Sequence, residues 1–222
     1  MSANEHILLE SDAALEVPDA RAARKVHARV RLKSRLRRRI LQLEIIDYYF
    51  LSVRSWRSGA LLAEYVLDLR FAQAAPRLSR FVAWRWMMSA VALLALGCAI
   101  AVRVVPSAPR PWLYVCAGLL AAGVSAALTC AYRTSETIAL HSAHGHAKCL
   151  EYTGGIGTLR AARVFLTKLA AHTQLAMRAR RHSKAAHLRD EMREHFRLKE
   201  AGTLSVEEYE AAKVRILGQH AR

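Results

Sequence analysis

Residues 141 to 149 read HSAHGHAKC and bring three histidines and a cysteine close together. Histidine is the commonest metal ligand, and an H-x-x-H-x-H run at a turn can gather imidazoles around one ion. The spacing argues against it. His141 and His144 would fall on opposite sides of a regular strand, and no carboxylate lies within the turn to orient them. His141, His144 and His146 are thus the metal candidates, but a polar hairpin tip is the expectation, with no metal and no cofactor.

A second cluster is RAARKVHARVRLKSRLRRR, residues 21 to 39, with ten basic residues and no acidic one. Such a run neutralises phosphates, on nucleic acid or on an anionic membrane leaflet. No base-stacking aromatic pattern accompanies it, so lipid headgroups are the favoured partner over nucleic acid, with Arg35, Arg37, Arg38 and Arg39 as the contacts. A solvated helix that only enforces membrane topology explains the run equally well. Third, EYTGGIGTLR sets Gly154, Gly155 and Gly157 between a strand and a helix, but GGxG is neither GxGxxG nor a P-loop with its lysine. Cys98, Cys116, Cys130 and Cys149 form no CxxC pair, so they are read as small packing residues. No nucleophile has a base at workable spacing, and no paired carboxylates share an element. No catalytic residue is expected, and the chain is read as a non-enzyme.

The elements that must position these residues are dominated by two apolar runs. WMMSAVALLALGCAIA (86 to 101) and WLYVCAGLLAAGVSAALTCAY (112 to 132) contain no charged residue. A helix needs about 20 apolar residues to cross a hydrocarbon core of roughly 30 Å. Residues 82–105 and 112–132 are therefore predicted transmembrane helices, with Arg103 snorkelling and Trp84, Trp86, Trp112, Tyr114 and Tyr132 at the interfaces. The alternative is a buried helical hairpin of a soluble protein. Between them PSAPRP, residues 106–111, forces a reversal. Lys plus Arg outnumber Asp plus Glu fifteen to four over residues 21 to 80 and sixteen to nine over 133 to 222. By the positive-inside rule both termini are then cytoplasmic. Residues 1–20 are an acidic tail, expected to be disordered, without the charge pattern of a cleavable signal. Ala117 and Ala121, like Gly123 and Ala127, sit four apart and suit close helix packing, within the hairpin or between copies.

On the N-terminal flank, LLAEYVLDLRFA alternates Tyr65, Leu67, Leu69 and Phe71 with Glu64, Val66, Asp68 and Arg70, as a half-buried strand does. ILQLEIIDYYFLSV upstream is a second strand, with a helix over 40 to 49 as the alternative, and RSWRSGA is the turn between them. SETIALHSAHGHAKCLEY gives two more strands around Gly145. GTLRAARVFLTKLAAHTQLAMRAR carries Ala162, Phe165, Leu166, Leu169, Thr173 and Ala176 on one helical stripe that can cover a sheet. The fold class is an α+β membrane protein. Its transmembrane hairpin is inserted between two short strand pairs (40–80 and 133–181, the latter with the covering helix) of one small cytoplasmic sheet. Segment 21–39 is read as helical. Strands followed by such a helix resemble bacterial pleckstrin-homology-like membrane modules, of which four strands would make only a part.

The C-terminus, 183–218, reads as a helical hairpin. Gly202 suits a helix C-cap, Ser205 and Glu208 form a capping box, and Val206, Tyr209, Ala212 and Ile216 make an apolar stripe. Leu198, Gly202, Leu204, Ser205, Glu208, Tyr209, Lys213 and Leu217 resemble the short C-terminal domain called SHOCT, with Tyr209 where phenylalanine is common. That resemblance covers about twenty residues and implies an assembly or regulatory role, with Leu204, Val206, Tyr209, Ile216 and Leu217 as the contacts. The expectation is a bacterial inner-membrane protein whose cytoplasmic portion self-associates or binds a protein partner. The alternative is a membrane-tethered binder of anionic headgroups or nucleic acid.

Overall fold

The computed structural model describes residues 25–34, 38–103, 111–179 and 184–220. The acidic tail 1–20, Arg35, Arg37 and residues 106 to 110 of the connecting loop lie outside them. The chain divides into two units: Met1–Leu78, Thr137–Gly154 and Thr158–Arg222 form the first, and Ser79–Glu136 with Gly155–Gly157 the second.

The first unit begins with an antiparallel four-stranded meander in the order β1 (Val26–Ser34), β2 (Arg39–Ile46), β3 (Phe50–Arg57), β4 (Ala60–Asp68). The helix expected over 21–39 is corrected: its described part is a strand. Val26, Ala28, Val30 and Leu32 alternate with His27, Arg29, Arg31 and Lys33. This period of two buries Leu32 while the cations stay out. The helical alternative for 40 to 49 also fails, because this stretch is β2 and a three-residue turn. Asp47 and Tyr48 take φ of 48° and 65° there, a left-handed geometry that no glycine announces. RSWRSGA is mostly β3. Its true turn is the two residues Ser58 and Gly59, both at positive φ, which matches the right-handed twist of the flanking strands. Three strands, and a fourth at Arg77–Phe81, thus occupy the region 40–80 read as a pair.

A second sheet has the order β5 (Arg77–Phe81), β6 (Ser135–His141), β7 (Lys148–Gly154), so the strands flanking the apolar hairpin form two sheets and not one. Helix α3 (Thr158–Arg178) buries Ala162, Phe165, Leu166, Leu169, Thr173 and Ala176, the whole predicted stripe. All but Thr173 join Leu41, Leu43, Leu51, Ile138, Leu140 and Leu150 in one core.

Helices α4 (Lys184–Glu200) and α5 (Val206–His220) close the first unit. Gly202 at φ 70° ends α4. The amides of Gly202 and Thr203 reach the carbonyls of Lys199 (2.9 Å) and Leu198 (3.0 Å), the paired bonds of a Schellman motif. The capping box is reciprocal: Glu208 N–H donates to Ser205 Oγ at 3.1 Å and Ser205 N–H to Glu208 Oε2 at 3.3 Å.

The second unit holds α1 (Trp84–Arg103) and α2 (Pro111–Arg133), about 30 and 35 Å long at 1.5 Å per residue. Both are long and apolar enough to cross a membrane. Only 11% and 17% of their apolar windows are buried, which sets them apart from the core hairpin of a soluble protein. They meet where side chains are smallest. A Cβ on Gly97 would lie 2.9 Å from Leu120 Cδ2, and one on Gly123 2.7 Å from Leu94 Cγ. Of the four expected packing residues, Gly123 sits in this contact, whereas Ala117, Ala121 and Ala127 are exposed.

Candidate functional site

Two places in the first unit gather residues able to do chemistry. At one end of the four-stranded sheet, the end of β1 and the start of β2 lie beside the β3–β4 turn, where the Ser58 amide donates to the Arg38 carbonyl at 2.9 Å. Lys33, Ser34, Arg38, Arg39, Ile40, Ser58 and Gly59 line an open cavity of about 380 Å³. The ladder sets Arg39 opposite Ser34 on β1 and opposite Arg57 on β3. Like charges directly across a ladder are destabilising, so the register concentrates cations where folding alone would disfavour them. Of the four arginines expected to meet phosphates, Arg38 and Arg39 are in this cluster.

The other place is built by α4 against the β6–β7 turn. Its face repeats at every fourth residue, His187, Glu191 and His195, and all three are buried. Glu191 Oε1 accepts the amides of His144 (2.8 Å) and Gly145 (3.0 Å). Glu191 Oε2 lies 2.6 Å from His144 Nδ1 and 3.9 Å from His187 Nε2. Burial alone would raise the Glu191 carboxyl, but the His144 ring and the Gly145 and His144 amides outweigh it and hold it below the ordinary carboxylate range. His195 is buried with neither ring nitrogen hydrogen-bonded among the described residues, and burial lowers its basicity against the pull of Glu191. Its ring lies against Gly145: a Cβ there would come 2.5 Å from His195 Cε1. Arg215 Nη1 closes the turn by donating to the Gly145 carbonyl at 3.0 Å.

The three candidate histidines therefore separate. His144 joins Glu191 and His187; His146 Nδ1 instead faces Gln73 Nε2 at 2.8 Å, and His141 is not in the group. The carboxylate missing from the turn comes from a helix 47 residues away. In the sequence Glu191 is one acidic residue among several in a predicted helix, and nothing in its local spacing singles it out. Glu194 is a similar case. Buried at 3% exposure, it accepts the Asp68 amide at 3.2 Å and pairs with Arg197, which in turn donates to the Val66 carbonyl. These bonds explain why Val66 and Asp68, expected on the outer face of β4, are buried.

The residues assigned to assembly divide in the same way. Leu204, Tyr209 and Ile216 are buried at 5% exposure or less, whereas Val206 and Leu217 remain exposed. Leu204 belongs to the main core; Tyr209 and Ile216 pack with Leu188 and Met192. Cys149 is buried, and burial followed by the nearby Glu194 and Glu191 pushes its thiol up, away from the nucleophilic thiolate.

In the second unit, Trp84 and Trp86 with Phe81 and Arg133 line an open cavity of about 590 Å³ at one end of the helix pair. The Arg133 guanidinium lies 5.8 Å from the Trp86 ring centre. Trp112 and Tyr114 are exposed near the other end, so the rings form two groups about one helix length apart. No family model, curated protein or solved structure matches this chain.

Proposed function

We propose that this chain is a non-enzymatic two-pass protein of a bacterial inner membrane. Its first unit lies on the cytoplasmic side and binds phosphate-bearing anionic headgroups where the end of β1 and the start of β2 meet the β3–β4 turn. The observation that carries this reading is the gathering of Lys33, Arg38 and Arg39, with Arg57 across the ladder from Arg39, at a cavity that Ser34 and Ser58 also line. Cations supply attraction, and hydroxyls supply directed bonds to phosphate oxygens. The described residues hold seven strands in sheets of four and three, with helix α3 after the last, which is more strand than the resemblance to pleckstrin-homology-like modules rested on.

The test uses the full chain in phosphatidylcholine nanodiscs, mixed with separate vesicles. Wild type is expected to float with vesicles containing phosphatidylglycerol and not with phosphatidylcholine alone. At about 1 kcal/mol per basic side chain, Lys33→Gln, Arg38→Gln and Arg39→Gln together lower partitioning about 100-fold, and added salt weakens wild type similarly. Equal flotation of wild type and the triple variant refutes the headgroup role.

A second reading, association through α5, is supported by Val206, Val214 and Leu217, exposed on its outer face. Truncation after Glu200 is a poor test because it also removes Leu204, Tyr209 and Ile216 from the interior. Val206→Asp with Leu217→Asp leaves the interior intact. An unchanged oligomer size in that variant removes the reading.

A further inference from the structure

We propose that His144, His187 and Glu191 form a binding site for a first-row divalent cation of zinc type, which pins α4 to the β6–β7 turn. The donor atoms all lie within 4.8 Å of one another. Ligands around zinc at about 2.0–2.1 Å stand roughly 3.3 Å apart in a tetrahedron. The observed 2.6 Å and 3.9 Å from Glu191 Oε2 to the two imidazoles bracket that value, so a cation needs only side-chain adjustment.

The division of labour within Glu191 supports the same conclusion. Oε1 is committed to two backbone amides, which fixes the carboxylate plane and leaves Oε2 aimed at both rings. Ligating carboxylates are commonly oriented by such hydrogen bonds. His187 packs against the Phe71 ring, 5.0 Å between centres, which gives the site one apolar wall. Glu191 is fully buried, whereas the His144 side chain is 25% exposed, so an ion can enter and a fourth ligand can come from water on that side. Two imidazoles and one carboxylate are a donor set for zinc or ferrous iron and a poor one for calcium or magnesium, which favour oxygen. The site is independent of the basic turn cluster, so either role can fail alone.

The experiment uses the full chain in detergent, prepared without a histidine tag and stripped with a chelator. Zinc is titrated against a chromophoric competitor, and cobalt absorption reports coordination. Wild type is expected to bind one equivalent and melt at a higher temperature with zinc. His144→Asn, His187→Ala and Glu191→Gln should each lose more than about 100-fold in affinity, beyond what outer-shell changes give. His146→Ala, on the same turn but outside the group, should match wild type. Because His144 is part-exposed, His144→Asn is the variant that keeps its fold, checked by circular dichroism. The proposal is overturned if wild type takes up no zinc, or if folded His144→Asn binds it as tightly as wild type.

Discussion

His195 shows how much a single residue's surroundings decide. It lies four residues beyond Glu191 on the same face of α4, with Gly145 against its ring. Burial lowers its folded-state pKa below the ordinary histidine value, and Glu191 is the charge that opposes this. The sign follows from linkage: the unfolded chain takes up a proton near pH 6.5 that the folded protein resists, so this contribution is complete above about pH 7 and is lost as pH falls. With chelator present, the melting temperature of the full chain in detergent is expected to drop between about pH 7.5 and 5.5, and His195→Gln to flatten that drop. A variant as steep as wild type would show that His195 is not the group responsible. None of this was legible in the sequence. His195 falls within the predicted helical hairpin, but Gly145 comes from a turn fifty residues earlier, and linear spacing carries no such information.

Elements were legible where one period dominated and hidden where charge or turn chemistry concealed it. The α3 stripe and the two apolar helices follow from periodicity and length alone. The β1 strand has a regular alternation too, but ten cations in and around it made the charge pattern louder than the hydrophobic one. The β2–β3 turn was hidden because Asp47 and Tyr48 occupy a backbone region usually signalled by glycine. The capping box of α5, by contrast, was read residue for residue, because both partners lie within one helical turn.

Small residues in the apolar helices were harder to rank, because sequence does not say which face meets which. Gly123 and Gly118 now differ sharply. A Cβ on Gly123 would also come 3.1 Å from the Leu94 backbone nitrogen, whereas one on Gly118 meets nothing within 4 Å. Gly123→Ala is therefore expected to destabilise the α1–α2 pair by about 1–3 kcal/mol, read as a lower melting temperature in detergent, with Gly118→Ala near wild type. Equal melting of the two variants would mean that the helices do not pair through Gly123.

At the scale of the whole molecule, one unit holds two apolar helices that leave most of their surface uncovered, and the other is a compact α+β unit that carries the chemistry. The C-terminal helical pair belongs to that unit. Glu191, Glu194, Arg197 and Arg215 bind it to the turn after β6 and to the end of β4, and Leu204 and Ala212 enter the main core. A docked tail can regulate only if something releases it, and the contact with the β6–β7 turn is where a bound cation would act. The proposed headgroup binding on the cytoplasmic side depends on the two apolar helices crossing a membrane.

The direct measurement is labelling of intact bacterial cells with a membrane-impermeant maleimide, comparing Ser107→Cys in the connecting loop with Glu200→Cys at the end of α4, and wild type as background. The account predicts that Ser107→Cys labels in intact cells, whereas Glu200→Cys labels only after the inner membrane is opened. Labelling of both positions in intact cells, or recovery of the protein in the soluble fraction, would contradict it.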